Sequence, residues 1–126
     1  MRNVILLIVL LYSGLTVAYQ TAGKAQYEKA FYENTKSIIS KVSGSTDIEE
    51  QAQKYTSCHM GAMEFYSLEL QNTAYTVILG GGSFADAKMA FDTALATEGA
   101  AGGERLEKLQ IMYTNAAGFG QKCLLQ

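Results

Sequence analysis

Proline is absent from the 126-residue chain, histidine occurs once, cysteine twice, and charged residues make up only 17%. With no proline and little charge, the composition is not the proline-rich, highly charged type that stays disordered, and it is not a collagen-like repeat. A lone histidine, no pairing pattern of carboxylates and no Gly-x-Ser-x-Gly elbow leave a serine or cysteine nucleophile without an evident base, so enzymatic activity is not expected. Ten basic against twelve acidic residues give a net charge of −2 with no basic stripe, which argues against a nucleic-acid partner. At 48% hydrophobic residues the chain has the material for one compact domain.

What is present begins with a leader pattern. Met1, Arg2 and Asn3 form a short cationic start, and an uninterrupted apolar run follows from Val4 to Leu11. Ser13 and Gly14 then loosen the helix, and Thr16, Val17 and Ala18 stand where a signal peptidase reads. The pattern predicts a signal peptide over residues 1–18, cleaved after Ala18, and a single domain over residues 19–126. The apolar stretch falls short of the roughly 20 residues that span a bilayer, so no membrane association is expected once the leader is gone. No cysteine near the cleavage point could take a lipid. Cys58 and Cys123, an even pair in an exported chain, predict one disulfide.

Periodicity in the remainder is helical. Tyr27, Phe31, Ile38 and Val42 recur at helical spacing, predicting an amphipathic helix over 22–42 that ends at Ser43, Gly44 and Ser45. Thr46 with Glu49 reads as a capping box for a second helix starting at Asp47. Its core stripe passes through Ile48, Ala52, Tyr55, His59, Ala62 or Met63, and Tyr66; the pattern leaves open whether 47–79 is one helix, reaching Leu70 or, through a kink near Asn72, Leu79, or two. Gly80, Gly81 and Gly82 force a turn, Ser83 with Asp86 reads as the next cap, and a helix with Phe84, Ala87 and Phe91 on its apolar face stops near Gly99. Leu106, Leu109, Met112, Tyr113, Ala116 and Phe119 mark a last helix reaching towards Cys123, weakened at its end by Gly118 and Gly120. The best strand candidate, 75–79, is short and has no partner. The expected fold is all-α, an antiparallel bundle of four to five helices with Cys58 bonded to Cys123.

Cys58, His59, Met60, Met63 and Glu64 offer soft metal ligands on paper. A haem attachment motif would need a second cysteine where Tyr55 stands, and a metal site would need Cys58 spared from the disulfide, so no cofactor and no metal are expected. Half-buried packing is the expected role of His59, with one ring nitrogen satisfied. At about 100° per residue, Gly61, Glu64, Phe65 and Leu68 fall opposite the core stripe, with Met60 at the margin. That outer face should be polar and is not. Either the helix is central, with neighbours on both sides, or Met60, Glu64, Phe65 and Leu68 form a protein-binding or dimer surface.

A cleavable leader, a helical chain with one disulfide, no catalytic set and an apolar helix face carrying one acid resemble, in architecture, the small periplasmic immunity proteins that Gram-negative bacteria keep against peptidoglycan-degrading effectors of type VI secretion. The resemblance implies a non-enzymatic inhibitor, often dimeric, that blocks a toxin's substrate groove in the periplasm; a secreted location is the alternative. It carries no motif, so Met60, Glu64, Phe65 and Leu68 are candidates on the helical-wheel argument alone. Two other functions compete: a periplasmic stress chaperone that releases its core in acid, and a bundle that carries a ligand or metal.

Overall fold

The computed structural model describes residues 2–42, 44 and 46–126, with the side chains of the first helix from Ala22 onward. The side chains of the leader read over residues 1–18 lie outside the described residues. Five helices follow one another: α1 (Arg2–Val42), α2 (Ile48–Met63), α3 (Leu68–Leu79), α4 (Phe84–Ala100) and α5 (Gly103–Leu125). The fold is the expected all-α bundle, with no strand among the described residues. Among those residues no helix is long and apolar enough to cross a membrane.

Ion pairs at both ends fix α1 and α2 as an antiparallel hairpin: Lys36 Nζ lies 3.2 Å from Glu49 Oε1, and Lys24 Nζ lies 2.9 Å from Glu64 Oε1. The capping box read from Thr46 and Glu49 does not form. Asp47 occupies the N-cap position, and Glu49 is engaged by Lys36 across the hairpin. A partner on the neighbouring helix has outcompeted a local one. From this hairpin the helix contacts run in a ring, α2 to α5, α5 to α4, α4 to α3 and α3 back to α1, with α4 also touching α1. At Gly23 α1 approaches α3 so closely that a β-carbon there would stand 3.2 Å from the Tyr75 carbonyl oxygen.

The second helix is shorter than its hydrophobic pattern implies. α2 stops at Met63, and the amides of Phe65 and Tyr66 turn back to the Ala62 and Met63 carbonyls. Ser67 is extended at ψ 154° and starts α3 as its N-cap, its Oγ accepting from the Leu70 amide at 3.3 Å. Gln71 Nε2 donates to the Tyr66 carbonyl at 2.8 Å and satisfies the corner from within. The 47–79 segment is thereby two helices and a corner, the second of the two alternatives the pattern left open. Apolar residues on both sides of Ser67 concealed the break, because the pattern records burial and not chain direction. The strand candidate at 75–79 lies inside α3.

The glycine turn behaves as its composition requires. Gly82 N donates to Val77 O at 2.8 Å and Gly81 N to Ile78 O at 3.0 Å, a Schellman closure with Gly81 at φ +91°. Ser83 and Asp86 then form the expected capping box, each side chain accepting from the other's amide. These hydrogen bonds hold the Asp86 carboxyl below its usual range. At the far end α4 runs to Ala100, one residue past Gly99, and Gly102 and Gly103 turn the chain with φ of +66° and +54°. α5 passes through Gly118 and Gly120 without interruption.

The core is small. Tyr27, Met60, Met63, Ala74, Tyr75 and Ala87 form its buried cluster, flanked by Val77, Ile78, Phe84 and Phe91, and no large side chain among the described residues is completely sealed. α5 adds a single buried residue, Ala116. The Cys58–Cys123 disulfide, with Cα atoms 5.6 Å apart, bonds this lightly packed helix to α2. Closing a loop of 65 residues stabilises the fold by about 4 kcal/mol in the chain-entropy model. Replacing both cysteines with alanine is expected to lower the free energy of unfolding by about that amount, read by urea titration with far-UV circular dichroism.

Candidate functional site

Two features stand out once the helices are in place: an exposed corner between α2 and α3, and a half-buried aromatic seam between α1, α2 and α4. Three of the four candidate residues meet at the corner. Glu64 is the α2 C-cap, Phe65 follows it, and Leu68 opens α3. Phe65 is 42% exposed and Leu68 63%. Met60 is the correction: at 6% exposure it belongs to the core cluster with Tyr27 and Met63 and presents nothing to a partner. The reason is geometric. Because α2 ends at Met63, residues 64–68 leave the helical wheel on which Met60 was their neighbour.

The corner also includes residues that the wheel did not assign to it. Phe119 of α5 packs against Phe65 with ring centroids 5.5 Å apart at 46°. It lies over Gly61, where a β-carbon would stand 2.4 Å from the Phe119 ring, so the glycine makes the ring's position possible. Gly61 is three residues from Cys58 and Phe119 four from Cys123, which places the covalent bridge one helical turn from the aromatic pair on both helices. Glu64 is not a lone acid, since Lys24 of α1 holds it across the surface. A glycine inside an apolar helix was the available sign of this close approach.

Beside the corner, a groove of about 370 Å³ runs between α3, α4 and α5, with Leu70, Ile111 and Met112 on its apolar wall. Ile111 is 62% exposed. The rim is charged: Arg105 Nε donates to Glu98 Oε2 at 2.9 Å, and Lys108 Nζ lies 2.8 Å from Glu104 Oε1. The guanidinium beside Glu98 holds that carboxyl below its ordinary value. Corner and groove meet at Ser67, which lines the groove and caps α3.

The seam is built on His59. Its ring stacks on Phe31 with centroids 4.0 Å apart and planes within 4°, and its Nε2 stands 2.8 Å from the Tyr27 hydroxyl. Phe84 of α4 closes the cluster edge-on against Phe31 at 5.6 Å and beside Tyr27 at 5.8 Å. Burial pushes the imidazole pKa down to about 4, so the ring is neutral at neutral pH and a single hydrogen links its Nε2 to the tyrosine oxygen. Burial, with Tyr75 and Asp92 nearby, raises the Tyr27 hydroxyl well above its usual value, which keeps it a donor. Tyr75 is pushed up to about 12, chiefly by burial. This is the packing role read for His59 from its position on the core stripe.

Both cysteines are consumed in the bridge, and among the described residues no three His, Cys, Asp or Glu side chains converge as a metal ion would require. Comparison of the chain with protein-family models, with curated proteins and with solved structures found no match.

Tyr27→Phe tests the seam at neutral pH. It removes the hydroxyl bonded to His59 Nε2 while keeping the rings, and the unpaired nitrogen is expected to cost about 1–3 kcal/mol. Urea unfolding at pH 7.5 measures it, and a loss below about 0.5 kcal/mol would mean that water substitutes for the hydroxyl.

Proposed function

We propose that the protein is a non-enzymatic, protein-binding inhibitor of the periplasm, of the immunity-protein kind, that blocks a cell-wall-degrading toxin by covering its active site. One observation carries this reading. Phe65, Phe119 and Leu68 are exposed together on a corner buttressed by a disulfide one turn away. Aromatic anchors on a preorganised support are what a tight protein interface uses, because little conformational freedom is lost when they are buried. The leader pattern and the even cysteine pair support an oxidising, extracytoplasmic location.

The arrangement suits occlusion of a cleft. A peptidoglycan hydrolase works with carboxylates at the bottom of a groove. The α2–α3 corner projects apolar rings flanked by the Lys24–Glu64 pair, so it can fill such a groove without burying an unpaired charge. The neighbouring groove with Ile111 and Met112 extends the surface and can receive a side chain in return. A homodimer through the same surface would compete with the toxin.

The test is inhibition. The purified, disulfide-bonded protein is expected to bind one peptidoglycan hydrolase of the envelope, or of a competing bacterium, with 1:1 stoichiometry and to suppress release of soluble muropeptides. Phe65→Ala with Leu68→Ala is expected to weaken binding about 10–100-fold while the melting temperature stays within a few degrees, because both side chains are exposed and outside the buried core cluster. Failure to inhibit any such hydrolase would reject the function. Loss of folding in the double variant would reject the corner as the docking site.

A further inference from the structure

His59 sits half-buried in an environment that favours its neutral form. Its ring is stacked on Phe31, its Nε2 is aimed at a tyrosine hydroxyl, and Phe84 closes the cluster from α4. Three helices therefore meet around one group that can change its charge within a biologically ordinary pH range. The titratable and charged groups facing this region do not stabilise a cation there. From α1 come Tyr27, hydrogen-bonded to His59, and Glu28, which faces Tyr75; from α3 comes Tyr75, whose hydroxyl points to Gln71 Oε1 at 3.4 Å. From α4 comes Asp92, held by Lys88, and from α2 itself comes Glu64, held by Lys24. α5 lies against α2 through Cys58 and Gly61, at the bridge and the Phe119 contact.

We propose that His59 is an acid-operated latch: protonation breaks the Tyr27–His59–Phe31 arrangement and opens the seam between α1, α2 and α4, while the Cys58–Cys123 bridge keeps α5 attached to α2. Protonated Nε2 becomes a donor, so the Tyr27 oxygen must accept from it and the tyrosine's own hydrogen must find another acceptor in an apolar cluster. A charged ring in that place also lacks the water it would have in the open chain.

The sign of the pH dependence follows. The folded-state value of about 4 lies below the ordinary 6.5, so the unfolded or open form binds the proton more tightly. The latch therefore contributes its full stabilisation above pH 6.5 and loses it as pH falls from there to about 4. Across that window the closed form loses up to roughly 300-fold in its equilibrium with the open one, one decade for each unit of difference.

Opening has a structural consequence on the surface. Phe31 lies on the same stripe of α1 as Ile38 and Val42, seven and four residues apart in succession, and these two are already 53% and 82% exposed. Tyr55, one turn before His59 on α2, is 45% exposed. Freed Phe31 and Phe84 join these residues in one apolar patch, so the acid form displays a sticky surface that the neutral form divides. This inference stands apart from the proposed inhibition through the α2–α3 corner.

The chain has one histidine, so its ring protons give a single titrating NMR signal without assignment. The experiment follows that signal, near- and far-UV circular dichroism and binding of an apolar dye from pH 8 to 3 on the disulfide-bonded protein. The expected result is loss of near-UV signal and gain of dye fluorescence coincident with the histidine titration, with helicity retained. His59→Gln, which cannot take the proton, is expected to shift the opening at least one pH unit lower. Tyr27→Phe, which removes the ring's hydrogen-bond partner and weakens the closed seam, is expected to shift it higher. Opening at one common pH in all three proteins would assign it to carboxylates and overturn the latch, as would a wild-type histidine that titrates with no change in tertiary signal. Should His59→Gln fail to fold, the coincidence of titration and opening in the wild type and the upward shift in Tyr27→Phe decide the matter.

Discussion

A covalent bond carries what the apolar packing of α5 cannot. That helix has 23 residues and one buried side chain, Ala116, and its carboxyl-terminal half contains two glycines that favour unwinding. Bonding Cys123 to Cys58 removes the loosest arrangements of the open chain and brings Phe119 onto Gly61. The aromatic corner, the groove and the run of α5 through Gly118 and Gly120 all depend on that attachment. In an oxidising compartment such a bond persists, whereas a reducing one would leave α5 to its weak packing.

α2 is therefore held differently on its two sides. Towards α5 it is fixed by the disulfide and the close approach at Gly61; towards α1 it is fixed by a hydrogen-bonded aromatic stack and by ion pairs at both ends of the hairpin. The exposed ion pairs add little, since water screens them. The stack is a conditional contact, because burial there favours the neutral imidazole. One side of the helix is indifferent to pH and the other is sensitive to it. A rigid docking corner and a seam that responds to acid can thus coexist in a small bundle.

The corner illustrates how short-range chemistry outranks a hydrophobic pattern. Along 47–79 apolar residues recur in a way that suits one long helix, yet Ser67 can cap a new helix and Gln71 can bond the Tyr66 carbonyl. These two side chains satisfy the backbone groups that a break exposes, so the break costs little. It also allows α3 to turn back against α1 at Gly23, which a straight helix could not reach. Phe65 and Leu68 consequently reach the surface, while Met60, on the preceding turns, enters the core.

The helical class, the disulfide pair, the Gly80–Gly82 turn and the Ser83–Asp86 cap were legible in the residues themselves, because each rests on local chemistry or on a pairing with only one partner available. His59 as a packed ring was legible too, from its place on an apolar stripe. Tertiary structure alone decided where α2 ends, which residue caps it, and that Phe119 joins Phe65 across the bundle. Those outcomes turn on competition between local hydrogen bonds and contacts with distant helices, as when Lys36 takes Glu49 from its expected cap. A helical wheel assumes an unbroken axis, and Met60 could be separated from Glu64, Phe65 and Leu68 only once the position of the break was known.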